Sequence, residues 1–175
     1  MNEELLFHGV ILSIHLKVRK HHGQSSSLAL ASALTLANAA TITGRVVGVA
    51  DGDTVTVLDA SNTQHKIRLS GIDTPERKQA FGMRSKQSLS GLVFNKQVSV
   101  ETDRKDRYQR EVGKILLPSG QDVNLEQVSR GFAWHYKAND RKLYDFAEQE
   151  ARAGRRGLWG DAVPVPPWEF RRGSR

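Results

Sequence analysis

The stretch TITGRVVGVADGDTVTVLDASNTQHKIRLSGIDTPE, Thr41 to Glu76, decides the fold. In it Val55 and Val57 alternate with Thr54 and Thr56, and Ile67 and Leu69 alternate with Lys66, Arg68 and Ser70. A period of two with β-branched enrichment predicts strands that carry one apolar and one polar face. Turn residues at Asp51-Gly52-Asp53 and from Asp59 to Asn62 divide the stretch into three strands, Ile42 to Ala50, Thr54 to Leu58 and His65 to Ile72.

Downstream, Pro75 is tolerated in the first turn of a helix, and Phe81, Ser85, Leu89, Leu92 and Val93 follow at helical spacing. The spacing predicts a helix over 76–94. Two further strands are expected at Val98 to Thr102 and Glu111 to Leu117, the second broken by Gly113. Leu125, Val128 and Phe132 predict a short helix that Gly131 helps to end, and Leu143, Phe146, Ala147 and Ala151 mark a last helix ending near Gly157. The tail Val163-Pro164-Val165-Pro166-Pro167-Trp168 cannot continue that helix. Strands this short and close leave no room for βαβ crossovers throughout. The expected class is α+β: a small antiparallel OB barrel of five strands with about three helices, an architecture that commonly binds oligonucleotides. Fold alone assigns no reaction.

The chain has 175 residues, enough for one core and short for two. It has no cysteine, which excludes a disulfide framework, thiolate zinc sites, iron–sulfur clusters and cysteine nucleophiles. Four of its six histidines (His8, His15, His21, His22) precede residue 23, so His65 and His135 alone would have to build any imidazole site in the folded part. With 26 Lys plus Arg against 19 Asp plus Glu, the formal charge is +7. Such an excess favours a polyanionic partner, nucleic acid or an anionic membrane surface, or forms a solvated face.

Residues 1–39 read as a secretory leader: Lys17-Val18-Arg19-Lys20-His21-His22, a Ser-rich bridge, an apolar run from Leu28 to Leu36 too short to span a bilayer, and the small-x-small site Ala37-Asn38-Ala39. An amphipathic N-terminal helix is the alternative. The leader carries Lys17, Arg19 and Lys20 against Glu3 and Glu4, so one of the seven net charges leaves with it and the folded part stays basic. The expected organisation is a leader at 1–39, an OB domain at 40–160 and a Pro-rich basic tail at 161–175, the mature protein being soluble and exported, periplasmic or secreted.

Chemistry concentrates in Asp51-Gly52-Asp53-Thr54 and Arg68-Leu69-Ser70-Gly71-Ile72-Asp73-Thr74-Pro75-Glu76. Turns at the ends of neighbouring strands can bring Asp53 and Asp73 together as oxygen ligands for a hard cation. An EF-hand is excluded, because counting from Asp51 puts Val55, Thr56 and Asn62 where that loop needs a ligand, Gly and Glu. Taken singly, Asp-Gly is an ordinary hairpin turn and Thr-Pro-Glu an ordinary helix start. Together with Arg68, on the polar face of its strand, and Arg110, after Asp106-Arg107-Tyr108-Gln109, they make a phosphodiesterase set. Guanidinium supplies paired donors for the charge that grows on a phosphodiester under attack, and one carboxylate serves as base.

The pattern resembles the staphylococcal nuclease (thermonuclease) family from about Thr41 to Trp159: the Asp-Gly-Asp-Thr turn, an Arg five before Asp-Thr-Pro-Glu, Asp-x-Tyr-x-Arg at 106–110, and Val123-Asn124 through Arg130-Gly131-Phe132-Ala133. Gly157-Leu158-Trp159 also fits, and Pro166-Pro167-Trp168-Glu169 is similar to tails in bacterial members. The resemblance implies an OB barrel and a Ca²⁺-dependent endonuclease that cuts DNA and RNA with little sequence preference and leaves 3′-phosphate ends. It implies Asp53 and Asp73 as metal carboxylates, Thr74 as a backbone-carbonyl ligand, Asp51 as a nearby acid, Glu76 as the base that activates or orients water, and Arg68 and Arg110 as the phosphate clamp. Tyr108 is similar to the family's phosphate-contacting tyrosine, and because the chain reads Trp134-His135-Tyr136 after Ala133, Tyr136 is the candidate for base stacking. Arg104, Lys105, Arg107, Lys114, Arg141, Lys142, Arg152, Arg155 and Arg156 are expected to guide the strand or to be plain surface charge. Trp134, Trp159 and Trp168 are read as core or as base-stacking rings. A monomer is expected. The rivals are a noncatalytic OB module that binds single strands and a Ca²⁺-binding structural domain, which would leave both arginines without work.

Overall fold

In the computed structural model, which describes residues 40–136 and 142–173, the alternating stretch forms strands β1 (Ala40–Val49), β2 (Thr54–Asp59) and β3 (Gln64–Leu69). They pair as an antiparallel meander, with Val46 opposite Val57 and Thr54 opposite Arg68. Gly44 in β1 has a packing reason to be glycine: a Cβ there would lie 2.3 Å from the Leu58 carbonyl oxygen. The strand expected to run to Ile72 breaks at Ser70-Gly71, where Gly71 takes a φ of 76°. The two residues beyond form β4 (Ile72–Asp73), which later pairs with β7 (Trp134–His135).

The helix α1 begins six residues later than its spacing predicts, at Gly82, and runs to Val93. Phe81 is left-handed with φ 65°, which ends any helical path from Pro75. Residues 76–81 are instead consecutive tight turns, closed by Gln79 N–H to Glu76 O at 2.8 Å and Gly82 N–H to Gln79 O at 3.0 Å. Glu76 therefore sits on a loop beside β4.

Strands β5 (Gln97–Lys105) and β6 (Glu111–Leu116) complete a closed five-stranded barrel in the order β1-β2-β3-β6-β5. The seam between β3 and β6 is parallel, a departure from the all-antiparallel expectation. The barrel interior is Val46, Val55, Val57, Ile67, Leu69, Val98, Val100 and Ile115, with Leu89, Leu92 and Val93 of α1 packed into the same core.

Helix α2 (Val123–Ser129) starts behind Asp122, whose carboxylate accepts the Leu125 N–H at 3.0 Å, an N-cap that the apolar spacing alone did not reveal. Helix α3 (Lys142–Ala153) buries Tyr144, Ala147 and Ala151, while the expected core residues Leu143 and Phe146 are exposed. The polar hydroxyl selects the face: Tyr144 Oη donates to Asp122 at 2.8 Å while its ring packs inward. A 3-10 turn (Gly157–Gly160) follows, and then a short fourth helix, α4 (Pro167–Gly173), which starts anew with proline at its first position. Trp134, Trp159 and Leu158 form a second core against which Trp168 packs. The tryptophans are therefore packing residues, with the Trp134 and Trp159 rings 5.0 Å apart edge to face. Among the described residues no helix is long and apolar enough to cross a membrane. The leader and Arg141 lie outside the described residues.

Candidate active site

The break after β3, the turn before β2 and the loop after β4 meet at one mouth of the barrel. There an open cleft of about 680 Å³ is lined by all nine residues singled out from the sequence: Asp51, Asp53, Arg68, Asp73, Thr74, Glu76, Tyr108, Arg110 and Tyr136. Buried amides of α2 build that mouth. Asn124 accepts the Ile115 N–H at 3.1 Å and donates to the carbonyls of Ser70 at 2.9 Å and Gly113 at 3.1 Å, which pins the strand break. Gln127 donates to the carbonyls of Gly52 at 2.9 Å and Ser85 at 3.2 Å, which pins the Asp51-Gly52-Asp53 turn to α1. Both are fully buried, where an unpartnered amide would cost about 1–3 kcal/mol, so these contacts fix the turn. Gln127 lay outside the sequence reading, for a lone glutamine on a helix carries no signal of its carbonyl partners.

Asp53 and Asp73 are 5% and 3% exposed and face a common guanidinium. Arg68 lies 3.1 Å from Asp53 Oδ2 and 3.1 Å from Asp73 Oδ1, and its Nη1 also donates to the Leu69 carbonyl at 2.8 Å. Arg68 thus bridges the two carboxylates and holds its guanidinium at the floor of the cleft. Thr74 holds Asp53 through its hydroxyl at 2.8 Å and its N–H at 3.2 Å, both to Oδ2. Asp51 accepts the Asp53 N–H at 3.0 Å.

The electrostatics are those of crowded acid. Burial, and then the charge of Asp53, pushes Asp51 up to about 6. Burial also raises Asp73, against the opposing pull of Arg171 and Arg68. Arg110 is fixed by Asp106, which takes its Nε at 2.7 Å, and its Nη1 reaches Thr54 Oγ1 at 3.3 Å. Although partial burial opposes it, the Arg110 backbone N–H and guanidinium hold Asp106 below the usual carboxylate range. Tyr108 is 63% exposed on the cleft wall, with Arg107 over its ring at 4.7 Å, and Tyr136 is 47% exposed beside Trp168. Of the remaining cations, Arg104 and Arg107 line the cleft. Lys105 pairs with Glu111, Lys114 with Glu101 and Arg152 with Glu148, so those are structural surface charge.

The family described as staphylococcal nuclease homologue matches residues 66–161, more than half of the chain. An uncharacterized endonuclease of Haemophilus influenzae is 44% identical over 131 residues, covering 74% of this chain and 73% of the relative. An uncharacterized endonuclease of Escherichia coli O157:H7 is 45% identical over 133 residues, covering 75% and 86%. A micrococcal nuclease of Shigella flexneri is 40% identical over 144 residues, covering 75% and 82%. This chain belongs to the staphylococcal nuclease family.

The donor set fits the hard cation that the staphylococcal nuclease resemblance implies. Every candidate donor is an oxygen, two of them are buried carboxylates, one of which, Asp73, is raised by that burial, and the cleft lining offers no histidine or cysteine donor. Among the described residues no group of three or more His, Cys, Asp or Glu side chains is arranged to hold a metal. A cation here would therefore take Asp53, Asp73, backbone carbonyl oxygen and water. Arg77, and Arg171 of α4, also line the cleft and escaped the sequence reading, and Arg171 pairs with Asp73 at 2.7 Å and Glu76 at 2.6 Å. The hydrogen bond it donates to Asp73, opposed by partial burial, raises its already high pKa.

Proposed function

We propose that this protein is an exported, Ca²⁺-dependent endonuclease that hydrolyses phosphodiester bonds of DNA and RNA with little sequence specificity and leaves 3′-phosphate ends. The observation that carries this is the meeting, in one open cleft, of two buried carboxylates, two arginines and the loop carboxylate Glu76. Family membership supports the reaction class, and the relatives named endonuclease and micrococcal nuclease support nucleic acid as substrate. Ca²⁺ and the 3′-phosphate outcome follow from the family resemblance together with the all-oxygen donor set, and export follows from the leader reading of residues 1–39.

Asp53 and Asp73 would hold the cation, with Thr74 orienting Asp53 through its hydroxyl and N–H. When bound, Ca²⁺ supplies positive charge and Lewis acidity next to a nonbridging phosphate oxygen. Glu76, whose side chain is 41% exposed, can face a water in the cleft and take or steer its proton. Arg68 and Arg110 meet the charge that builds on the equatorial oxygens, Arg110 with its plane already set by Asp106. Tyr108, Arg104 and Arg107 line the path of the backbone, and the open cleft offers polar and cationic contacts that do not read bases.

Two variants separate cleavage from binding. Glu76→Gln keeps size and cannot take a proton; Arg110→Lys keeps charge and loses the paired donors. Each is expected to bind single strands within roughly tenfold of the parent and to cut plasmid DNA at least about a hundred times more slowly. Chelator is expected to stop cleavage and Ca²⁺ to restore it. A parent protein that binds strands in a salt-sensitive way yet never cuts is a noncatalytic OB module.

A further inference from the structure

The C-terminal segment folds back across the cleft it follows. Gln79, on the loop that carries Glu76, donates to the Val165 carbonyl at 2.6 Å. Trp168 packs 6.4 Å from both Trp134 and Tyr136, ring centre to ring centre. Phe170 joins Phe81 and Trp134 in lining a small apolar groove of about 220 Å³. These contacts aim the next residue, Arg171, at the acids. Its Nη2 lies 2.7 Å from Asp73 Oδ2, and its Nη1 lies 3.4 Å from Asp73 Oδ1 and 2.6 Å from Glu76 Oε1.

One guanidinium thus uses both oxygens of a carboxylate assigned to the cation and one oxygen of the carboxylate assigned to the water. Asp73 cannot give its oxygens to a divalent cation and to this fork at once, and like charges at contact distance exclude each other. Glu76, while accepting from Arg171, has lost an acceptor for a water proton. We propose that the segment from Val163 to Gly173 is a displaceable latch: with no cation in the cleft, Arg171 occupies the place between Asp73 and Glu76, and cation binding drives the latch off and opens the site. The anchoring contacts suit a reversible device. Among them are one hydrogen bond to the Val165 carbonyl, edge-on contacts of the partly buried Trp168 at the rim of the small second core, and ion pairs to Asp73 and Glu76 from an arginine side chain that is 44% exposed; the barrel core takes no part in them.

The inference rests on the reading of Asp53 and Asp73 as cation carboxylates, and the test separates the two. Ca²⁺ affinity is measured by calorimetry on the parent, Arg171→Gln and Arg171→Lys, with hydrogen exchange followed at the Glu169 and Phe170 amides, which donate to the carbonyl of Pro166, the residue before α4. A latch closed in nine molecules of ten lowers the parent's affinity about tenfold, so Arg171→Gln is expected to bind Ca²⁺ about tenfold more tightly. Arg171→Lys, which keeps the charge and loses the fork, is expected to fall between. In the parent, saturating Ca²⁺ should speed exchange at both amides by up to about tenfold, and in Arg171→Gln it should leave them unchanged. Arg171 is a surface residue, and matching melting curves in chelator are expected to show all three proteins folded. Equal affinities and a tail indifferent to Ca²⁺ would overturn the latch and leave the cation site standing. Weaker binding by Arg171→Gln would overturn it in favour of an arginine that assists the site. Ca²⁺ binding by none of the three would remove the cation site and the latch together.

Discussion

Asp53 stands at the entrance to strand β2 and Asp59 at its exit, and the barrel surrounds these two identical side chains differently, one buried among other acids and the other set in an exposed turn. Asp59 is surrounded by donors from its own turn: its Oδ1 accepts the N–H groups of Ser61 and Thr63 at 2.9 and 2.8 Å and the Ser61 hydroxyl at 2.8 Å, while His65 reaches Oδ2 at 2.8 Å. His65, then Thr63 and Ser61, lower its pKa to about 2. At the entrance, Asp51, Asp53 and Asp73 share one buried mouth, and burial raises Asp51 and Asp73. Local donors make the Asp59 anion a fastening of the hairpin. Crowding and burial make the entrance a place where the fold tolerates unfavourable charge, and such places are where perturbed carboxyls mark function.

Replacing each aspartate by asparagine tests that contrast most severely. Asp53→Asn keeps an oxygen for Thr74 and removes the charge that a cation needs. Cleavage is expected to fall about a hundred- to a thousandfold, and the rise in melting temperature that Ca²⁺ gives the parent should vanish. Asp59→Asn should cut at the parent rate. A plasmid-cleavage time course with both variants, and melting curves with and without Ca²⁺, check the pair. Equal losses at the two ends would erase the distinction between site and fastening.

The second expected effect is on stability and shows how tightly the entrance is built. A Cβ on Gly52 would lie 2.0 Å from Ser85 Oγ and 2.9 Å from Thr74 Oγ1. Ser85 cannot simply swing aside, because its hydroxyl donates to the Phe132 carbonyl at 2.7 Å. Gly52→Ala is expected to cost about 1–3 kcal/mol in urea unfolding, the range for forcing atoms into a packed site. Gly91, in α1 with nothing within 4 Å of its Cβ position, supplies the opposite sign: Gly91→Ala should stabilise by about 0.5–1 kcal/mol. A Gly52→Ala protein as stable as the parent would mean the turn has room to move, and the pinning by Gln127 would lose its meaning.

What was legible from the sequence follows the range of the interactions. The strands were readable because Val55, Val57, Ile67 and Leu69 alternate locally, and the site was readable because its acids and arginines cluster in short motifs that turns bring together. Helix α1 was extended too far upstream because Phe81 is apolar at helical spacing, whereas its left-handed backbone is imposed by the packed loop. Leu143 and Phe146 misled for a related reason: hydrophobicity ranked them above Tyr144, and the hydrogen bond from Tyr144 to Asp122, 22 residues away, decided the face. Arg171 meets Glu76 across 95 residues, in a tail whose prolines break periodicity, so no local pattern could announce it. The parallel seam of β3 with β6 is likewise long-range.

The smallest effect lies at the exit of β2 and depends on pH with a definite sign. Asp59 has a folded-state pKa below its ordinary value, so its contribution to stability is present above the usual carboxylate range and is lost as pH falls through about 2. Asp59→Asn abolishes the charge and keeps one oxygen for the Ser61 and Thr63 donors. At neutral pH it is therefore expected to melt slightly below the parent, because solvent screens this exposed turn. The gap should narrow steadily below the ordinary carboxylate pKa, be mostly gone at about pH 2, where the folded-state carboxyl is half protonated, and close below it. Melting curves of the pair from pH 7 to pH 2, with the Asp59 carboxyl followed by NMR titration, check both the size and the sign. A gap that widens toward acid would mean that the Asp59 carboxyl is raised as those of Asp51 and Asp73 are, and the two ends of β2 would then share one electrostatic character.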